Sequence, residues 1–341
     1  MHYRMLLWPH ANARYQLETV NLALAELRMM LERLAPEAEA AALGQADLPG
    51  LDIHVPSPLD GAVLRALSRH SLLYALFEVR PGGLLLPVTG RALARVGADL
   101  PAILKYKGKT NEMFLQLLIN AALYSGDFWQ QAETPLRLLD PMCGKGTCLF
   151  VGANFGWDAL GADVDRAGLK EAEQYFRRYL EYHRFKHTLT RASRTLPGGG
   201  NAPESRFAYT PGADEERRQL SLVGQDAAMS AQALEKERYH LIVCDLPYGV
   251  HHDARLKPGS GGKGNWLEAL LARALPGWKR AMKVGGAVAL SFNTRNISLS
   301  TVRGLMAEAG FTVLEGGPRE GLAHWVEQAI TRDIAIGRRE D

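Results

Sequence analysis

The chain has 341 residues, of which 47% are hydrophobic and 23% are charged, and its formal net charge is +3. This length suits one large domain, or a main domain with a smaller one, and the composition allows a sizeable core. A pI near 8.7 permits a polyanionic partner without requiring one. Three cysteines with no close C-x-x-C pair argue against a disulfide framework and indicate a reducing compartment.

The N-terminus, "MHYRMLLWPHANARYQ", lacks the long apolar segment of a signal peptide. No stretch approaches the roughly 18 uninterrupted apolar residues that a membrane span needs. We therefore expect a cytoplasmic protein with no membrane association.

The first hundred residues mix strands and helices. A strand is predicted at "RMLLW", and a helix at "ETVNLALAELRMMLERL", followed by a polar, turn-rich link, "EAEAAALGQADLPG". The stretch "GAVLRALSRHSLLYALFEVR" combines a helix with a strand, and "GGLLLPV" is another short strand. These elements predict a small α+β domain over residues 1–104, for which we expect a role in substrate recognition. The apolar positions that give the helix its spacing are Leu22, Ala25, Leu27, Met29 and Leu34.

From Lys105 onward, short apolar strands alternate with helices. The predicted strands are "LRLLD", "DALGADVD", "QLSLVGQD", "YHLIVCD" and "GGAVALSF", with later ones in "FTVLEG" and "HWVEQAITRDIAIG". The predicted helices are "NEMFLQLLINAALYSG", "TCLFVGANFG", "RAGLKEAEQYFRRYLEYHRF", "WLEALLARALPGWKRAM" and "STVRGLMAEAGF". This alternation is typical of an α/β protein with a doubly wound parallel sheet, and we expect one such domain over residues 105–341.

Two segments interrupt the alternation. "TLPGGGNAPESRFAYTPGADEERR" is predicted to be a flexible loop. The glycine-rich, basic loop of residues 250–265 fits either a mobile cationic lid over a phosphate backbone or a solvated loop. His251, His252 and Asp253 lie in it, and adjacent histidines point apart on a regular backbone, so we expect loop or substrate contacts and no metal site.

The turn "DPMCGKGT", Asp140–Thr147, allows three interpretations. A Walker-type phosphate loop fails, because Gly146 and not Ser or Thr follows Lys145. A dinucleotide fingerprint fails, because its third glycine would fall on Leu149. A metal or redox site is disfavoured, because the cysteines lack a histidine pair and suit inert packing. No role is assigned to Lys145.

Acidic residues at four predicted strand ends indicate what kind of ligand lies beside the turn. Asp140, Asp163, Asp226 and Asp245 each lie at or just after the carboxyl end of a strand. In an open α/β sheet those ends meet in one crevice, which is where ligands bind. The acid about twenty residues beyond the glycine turn, in "GADVD", is suited to a ribose.

Four motifs in this order resemble those of class I S-adenosylmethionine-dependent methyltransferases. The closest resemblance is to the THUMP-associated tRNA guanosine methyltransferases, which methylate an exocyclic amine. Their Y-x-G-x-T segment matches "YKGKT", their DP-x-x-G-x-GT matches "DPMCGKGT", their G-x-D-x-D matches "GADVD", and their DPPYG nearly matches "DLPYG". The resemblance runs from about Lys105 to the C-terminus. It implies S-adenosylmethionine as cofactor and a nucleic-acid partner, tRNA or another RNA.

The resemblance also implies roles for single residues. The glycines of the turn would lie against the cofactor, Asp140 would orient its ammonium, Asp163 would bind the ribose, and Asp165 would cap the next helix. Asp226 would accept from the adenine amino group, and Thr110 would hold the methionine carboxylate. The predicted cofactor-binding residues are Thr110, Asp140, Pro141, Gly144, Gly146, Thr147, Asp163, Asp226 and Ala227.

The predicted catalytic residues are Asp245, Leu246, Pro247 and Tyr248. A base amino nitrogen is a poor nucleophile, so catalysis would consist mostly of positioning it and accepting its hydrogens. Asp245 supplies a carboxylate and Leu246 a backbone carbonyl, while Tyr248 offers a ring for a flipped-out base. Leu246 stands where the family usually has proline, so the carbonyl acceptor is kept but the rigid proline backbone is not.

The short N-terminal region leaves the substrate open, since it has room for a ferredoxin-like piece but not for a full THUMP domain. Three functions remain: an amino methyltransferase on tRNA or another RNA, first of all at guanosine; the same activity on DNA or a small nucleobase-like molecule; and a non-catalytic cofactor- and nucleic-acid-binding protein. The run "YFRRYLEYHRFKH" interleaves aromatic and basic residues, which fits a nucleic-acid surface or an amphipathic helix with a basic outer face. The sequence does not give the oligomeric state.

Overall fold

The computed structural model describes residues 1–10, 13–44, 48–92, 94–195, 200–212, 215–228, 238–248 and 265–341. The contacts divide the chain into two compact units, Met1–Leu93 with Glu315–Arg332 and Ala94–Leu314 with Asp333–Asp341. Within the described ranges, no helix has the length and apolarity required to cross a membrane.

The first unit contains a five-stranded antiparallel sheet in the order β2-β3-β1-β4-β5. Helix α1 connects β1 to β2, and α2 connects β3 to β4, which gives the ferredoxin-like βαββαβ arrangement with β5 added at one edge. The predicted small α+β domain of this type is therefore confirmed. The elements are β1 (His2–Leu7), α1 (Ala13–Leu34), β2 (Glu39–Ala42), β3 (Gly50–His54), α2 (Gly61–Leu67), β4 (Leu73–Arg80) and β5 (Leu84–Gly90).

Alternation along β1 builds the core of this unit. Tyr3, Met5 and Leu7 are buried while the residues between them are more exposed, as expected for a strand with one face on a core. Leu27 and Met30 of α1 are fully buried. The helical spacing seen in the sequence thus produces the face that packs on the sheet.

The prediction of a turn-rich link over "EAEAAALGQADLPG" is wrong in part. Four of its residues form β2, which pairs antiparallel with β3 from Glu39↔His54 to Ala42↔Leu51. Three residues of β2 are exposed and none is fully buried, so the strand carries no apolar alternation. Its hydrogen bonds to β3, and not its own residue pattern, keep it extended.

Ten strands of the described chain form the second sheet, with helices in the connections. The strands are β6 (Arg137–Asp140), β7 (Asp158–Asp163), β8 (His187–Thr195), β9 (Asn201–Tyr209), β10 (Arg218–Gly224), β11 (Tyr239–Asp245), β12 (Met282–Asn293), β13 (Thr312–Leu314), β14 (His324–Glu327) and β15 (Ile330–Arg338). The helices are α3 (Leu100–Ile103), α4 (Glu112–Ser125), α5 (Thr147–Asn154), α6 (Arg166–Tyr182), α7 (Asn265–Ala281) and α8 (Leu299–Glu308).

The sheet order β13-β15-β12-β11-β6-β7-β10-β9-β8 has a parallel centre from β12 to β10. The chain goes from β6 outward to β7 and β10, and then returns to β11 on the other side of β6. The direction of winding therefore reverses between β6 and β11, which is the switch point where open α/β sheets bind ligands. This is a Rossmann-like, doubly wound α/β sheet, and the predicted fold class is confirmed.

The prediction of a flexible loop over "TLPGGGNAPESRFAYTPGADEERR" is wrong for its central part. Residues Asn201–Tyr209 form β9, which pairs antiparallel with β8 on one side and β10 on the other. Its buried residues alternate at Ala202, Glu204, Phe207 and Tyr209, with one irregular step. The alternation is obscured in the sequence because a buried position carries a glutamate, which Arg194 and Arg206 neutralise.

Candidate functional site

The turn between β6 and α5 is held by backbone hydrogen bonds. The Cys143 N–H donates to the Ala162 carbonyl at 2.9 Å, and the Gly146 N–H donates to the Cys143 carbonyl at 2.8 Å. Gly144 and Gly146 have φ values of 52° and 82°, in the left-handed region that favours glycine. The two glycines of the motif are therefore required by the shape of the turn.

The turn packs closely on β7 at one glycine and is open at another. A Cβ on Gly161 would lie 2.5 Å from Leu149 Cδ1 and 2.6 Å from Cys143 Sγ, so this contact requires glycine. A Cβ on Gly144 would meet no atom within 4 Å. Gly144 thus presents bare backbone to open space, which is the property needed for close approach of a ligand.

Asp163 links the end of β7 to the glycine turn. Its Oδ2 accepts the Gly144 N–H at 2.7 Å, and its Oδ1 accepts the Asp165 N–H at 2.9 Å. Burial raises the pKa of Asp163, and these N–H donors act in the opposite direction. Asp165 caps α6 as predicted, through its Oδ1 and the Ala167 N–H at 3.1 Å.

Asp140 is a buried carboxyl group at the end of β6. Burial raises its pKa to about 8, and the negative charges of Asp163 and Asp245 add to the shift. Its Oδ1 accepts the Met142 N–H at 3.1 Å, and the Cys148 thiol also bonds to it. The proximity of three acidic residues at one edge of the sheet makes this region complementary to a cation.

The cysteines around the turn have thiol, not thiolate, character. Cys143, Cys148 and Cys244 are buried and free, and burial raises the pKa of each thiol well above its ordinary value. A protonated buried thiol is a weak nucleophile and a poor metal ligand. Among the described residues, no cluster of three or more histidines, cysteines or acids is arranged to hold a metal ion.

Asp245, at the end of β11, accepts hydrogen bonds from two hydroxyl groups. The Thr110 hydroxyl donates to its Oδ2, and the Tyr248 hydroxyl donates to its Oδ1. Tyr248 also lies 3.3 Å from the Ser291 hydroxyl, and its carbonyl accepts from Asn296 Nδ2 at 2.8 Å. Thr110 is therefore brought to Asp245 and not to the glycine turn, and its predicted bond to the methionine carboxylate stays a prediction.

Leu246 occupies the position where the resembling family has proline. Its N–H donates to the Ser291 carbonyl at 2.8 Å, which extends the β11–β12 pairing by one residue. Its side chain is fully buried in the core formed with α7 and β12. A proline could not make this hydrogen bond, so pairing with β12 fixes the backbone here in place of a ring.

Lys145, to which the sequence assigns no role, is engaged within the protein. Its Nζ forms an ion pair with Glu171 Oε2 at 2.5 Å and lies 4.9 Å from the centre of the Tyr106 ring. The Tyr106 hydroxyl in turn lies 3.2 Å from Thr147 Oγ1. Lys145 therefore ties α6 and the "YKGKT" segment to the glycine turn.

Asp226 lies just beyond β10. Its Oδ1 accepts the Ala228 N–H at 2.8 Å, as a residue before a helical turn does. The preceding Gln225 N–H donates to the Asp163 carbonyl at 2.8 Å, which aligns this strand end with that of β7. The cofactor roles of Asp226 and the buried Ala227 stay predictions.

The predicted residues from β6, β7, β10 and β11 thus end at one edge of the sheet, on both sides of the switch point. Pro141 is buried in the turn, and Pro247 is half-buried beside Leu246. Gly249, the histidines at 251 and 252, Asp253 and the remaining loop to residue 264 lie outside the described residues, so the predictions for them stay predictions.

Sequence reasoning missed two residues next to Tyr248, namely Ser291 and Asn296. Ser291 lies near the carboxyl end of β12, the strand predicted at "GGAVALSF", and pairs with Asp245 in the sheet register. A polar residue near the end of the neighbouring strand was the available signal. Tyr106 belongs to the "YKGKT" motif, and the resemblance implies no role for it.

No family model matches the chain, and no curated protein matches it. Among solved structures, it is similar to precorrin-6y C5,15-methyltransferase from Geobacter metallireducens GS-15, with 12% identity, 73% of this chain and 100% of that one covered, and a TM-score of 0.42. It is similar to magnesium protoporphyrin IX methyltransferase from Synechocystis PCC 6803, at 15% identity, 71% and 90% coverage and a TM-score of 0.38. It is also similar to a 16S rRNA (adenine(1408)-N(1))-methyltransferase from Catenulisporales acidiphilia, at 15% identity, with 62% of this chain and 90% of that one covered and a TM-score of 0.35. Identities of this size concern the fold alone.

Proposed function

We propose that this protein transfers a methyl group from S-adenosylmethionine to an exocyclic amine of a nucleic-acid base, first of all guanosine in tRNA or another RNA. The observation that supports it most is that Asp140 interacts electrostatically with both Asp163 and Asp245, while Asp163 holds the open backbone of Gly144. A ligand that carries positive charge and needs close backbone contact fits such a site.

The residues present fit this cofactor. Asp163 would bind the ribose hydroxyls, Asp140 the ammonium, and Asp226 with Ala227 the adenine. The backbone of the turn from Pro141 to Thr147, with Gly144 and Gly146 at its centre, would lie against the methionine and ribose portions. When bound, S-adenosylmethionine supplies a methyl group that its sulfonium charge already activates for transfer.

Asp245 would accept hydrogens of the amino group as positive charge develops on the nitrogen. Its two oxygens accept hydroxyl bonds from Thr110 and Tyr248, and the amine would either use a remaining lone pair or exchange with one of these donors. Exchange of one donor for another keeps the carboxylate satisfied and fixes where the amine sits. The Leu246 carbonyl would be the second acceptor, and the Tyr248 ring a stacking surface for the base.

Isothermal titration calorimetry tests the proposed binding of S-adenosylmethionine. Wild-type protein is expected to bind S-adenosylmethionine, and Asp163→Ala is expected to weaken binding by at least about tenfold through loss of a charged hydrogen-bond partner. Asp165→Asn is the matched control, because an asparagine also caps a helix and the residue lies two positions away. No binding by the wild type, or equal binding by Asp163→Ala, would contradict the assignment.

Transfer of tritium from the labelled methyl group tests the substrate. Label is expected in tRNA or another RNA. Label in DNA or in free nucleosides alone would favour the second function, and cofactor binding without transfer to any acceptor would favour the non-catalytic one. Nucleoside mass spectrometry of tRNA from a deletion strain and its parent would then identify the modified base.

We further propose that the N-terminal domain, predicted over residues 1–104, takes part in substrate recognition. Its strands β1 to β5 form a sheet of their own, and the candidate site is built on the ten-stranded sheet. Photo-crosslinking of 4-thiouridine-labelled tRNA, followed by peptide mapping, is expected to label peptides of this unit. Crosslinks confined to the other unit would remove this part of the proposal.

A further inference from the structure

The carboxyl end of α6 has an exposed basic and aromatic surface that the candidate site does not use. We call Arg178, Tyr182, His183, Arg184 and Lys186 the basic platform. All five are exposed, and the exposed fraction of Tyr182 is 82%. Between Phe176 and Tyr209 the sequence has seven arginines and lysines against two acidic residues, in a chain whose net charge is only +3.

Three cations of the basic platform have no carboxylate partner in the part of the chain that the structure describes. Arg191, Arg194 and Arg206 of the neighbouring strands form ion pairs with Glu173 or Glu204. No such pair involves Arg178, Arg184 or Lys186. The platform therefore carries positive charge that the described protein groups leave available for a polyanion.

Arg184 occupies a position that favours glycine. α6 ends in a Schellman motif, in which the Phe185 N–H donates to the Leu180 carbonyl at 2.9 Å and the Arg184 N–H donates to the Glu181 carbonyl at 3.1 Å. Arg184 has a φ of 60° and is the one non-glycine residue with positive φ among those described. An arginine here costs strain that a glycine would avoid, so folding does not explain its presence.

The exposed rings are arranged for stacking. The centre of the His183 ring lies 4.3 Å from that of Tyr179 and 5.0 Å from that of Tyr182, the second pair in an edge-to-face arrangement. The Tyr182 ring stays largely exposed to solvent. A side chain so exposed adds little apolar burial to folding. Exposed aromatic rings beside unpaired cations are the combination by which proteins hold unpaired nucleotides.

The location of the basic platform relates it to the candidate site. α6 begins just after β7, at the edge that carries Asp163, and its 17 residues span about 25 Å toward the opposite edge of the sheet. β8 then runs in the same direction as β7, because β8 and β10 are both antiparallel to β9. The platform and the candidate site therefore lie at opposite edges of one sheet.

From these observations we infer that the basic platform binds an unpaired segment of RNA, with a base stacked on Tyr182 and phosphates at Arg178, Arg184 and Lys186. The inference deepens the proposed function and rests on it for one consequence: a substrate that reaches both places spans at least about 25 Å, which a nucleoside does not. RNA binding by the platform itself requires neither cofactor nor methyl transfer.

Fluorescence anisotropy of a labelled, unstructured RNA of about 12 nucleotides tests the inference without cofactor. Tyr182→Ala is expected to weaken binding about tenfold, whereas Tyr182→Phe retains the ring and the affinity. Arg184→Gly is expected to weaken binding and to lower the salt slope by about 0.7, while its thermal midpoint stays equal to or above that of the wild type. Arg273→Ala, which removes an exposed charge on α7, is the matched control and is expected to bind normally.

Equal affinity of Tyr182→Ala, Arg184→Gly and the wild type would overturn the inference, as would an equal loss in Arg273→Ala. Calorimetry with S-adenosylmethionine on the same variants separates this inference from the proposed function. RNA binding that depends on the platform in a protein that binds no cofactor would retain the inference and reject the methyltransferase. Cofactor binding without RNA binding that depends on the platform would reject the inference and leave the proposed methyltransferase function standing.

Discussion

The two halves of the candidate site are held together by different kinds of hydrogen bond. In the glycine turn, backbone groups bond to the neighbouring strand or to its carboxylate, as from Cys143 to Ala162 and from Gly144 to Asp163. Around Asp245, hydroxyl groups on rotatable side chains make the bonds. Backbone bonds fix a shape, whereas hydroxyl bonds can be exchanged when another donor arrives.

In the proposed function the glycine turn would be the cofactor half and the Asp245 cluster the acceptor half. The first would then be preformed, whereas the hydroxyl donors of the second could exchange with the substrate amine. A ligand that approaches Gly144 meets open space and no group that must move. An amine that approaches Asp245 meets a carboxylate whose two oxygens already accept hydrogen bonds. Changes in the first half should therefore affect cofactor affinity, and changes in the second should affect turnover.

The largest expected effect separates turnover from binding. Asp245→Asn keeps the size of the side chain but puts an N–H₂ donor in place of one acceptor oxygen. We expect methyl transfer to fall by about 100- to 1,000-fold, the usual effect of losing one stabilising group at a reacting centre. Affinity for S-adenosylmethionine, measured by calorimetry, should change little. An Asn variant that retains full activity would remove Asp245 from the mechanism.

Leu246→Pro tests whether pairing with β12 replaces the family's proline. The change removes the hydrogen bond to Ser291, leaves that carbonyl without its donor, and takes a buried leucine from the core. We expect unfolding free energy, measured by urea denaturation, to fall by about 3 kcal/mol. Leu246→Met, which keeps the N–H and the volume, should cost less than about 1.5 kcal/mol. An equally stable proline variant would show that the strand pairing is dispensable.

Much of this site could be predicted from the sequence, because the carboxyl ends of parallel strands must meet. Asp140, Asp163 and Asp245 each follow an apolar strand, so a correct assignment of the strands places them together. The glycines of the turn could be predicted for a different reason, because the backbone conformation required there excludes most other residues.

The contacts that were missed depend on pairings between distant parts of the chain. Thr110 reaches Asp245 across 135 residues, and Lys145 of the turn reaches Glu171 on α6. Neither contact leaves a periodic pattern. The sequence does not predict β9, because its buried Glu204 breaks the apolar alternation. That glutamate is neutralised by Arg206 of the same strand and by Arg194, which only the folded hairpin brings near.

Gly161 and Gly144 differ in the space around them, which allows the effects of packing and of ligand access to be tested separately. A Cβ at Gly161 would overlap Leu149 and Cys143, so Gly161→Ala should lower unfolding free energy by about 1–3 kcal/mol. Gly144→Ala meets no neighbour, and only the strain of a positive φ, about 1 kcal/mol, should appear. Its effect should instead be on cofactor affinity, since the new methyl group projects into the open space. Denaturation and calorimetry on both variants would show whether the two effects separate.

Asp140 makes the cofactor half sensitive to pH. Its pKa in the folded protein, about 8, lies above the ordinary value of 3.8, so the native state keeps a proton that the unfolded chain has released. Its contribution therefore lowers stability progressively as pH rises from about 4 to about 8. A cationic ligand favours the ionised form, so cofactor affinity should rise with pH over the upper part of this range. Asp140→Asn should flatten both dependences, as measured by thermal denaturation and calorimetry across pH 5 to about 9. Unchanged slopes in this variant would show that another group titrates.

The smallest effect is expected at Lys145, which links α6 and the Tyr106 segment to the turn. Its partner Glu171 is about half exposed, and exposed ion pairs contribute about 1 kcal/mol or less. Lys145→Met retains much of the apolar side chain and should therefore lower unfolding free energy by less than that amount and leave methyl transfer nearly intact. Glu171→Gln removes the other partner, and a double variant no worse than either single one would show that the two residues act through each other. A large loss of RNA methylation in Lys145→Met, with Glu171→Gln normal, would instead indicate that the lysine contacts substrate.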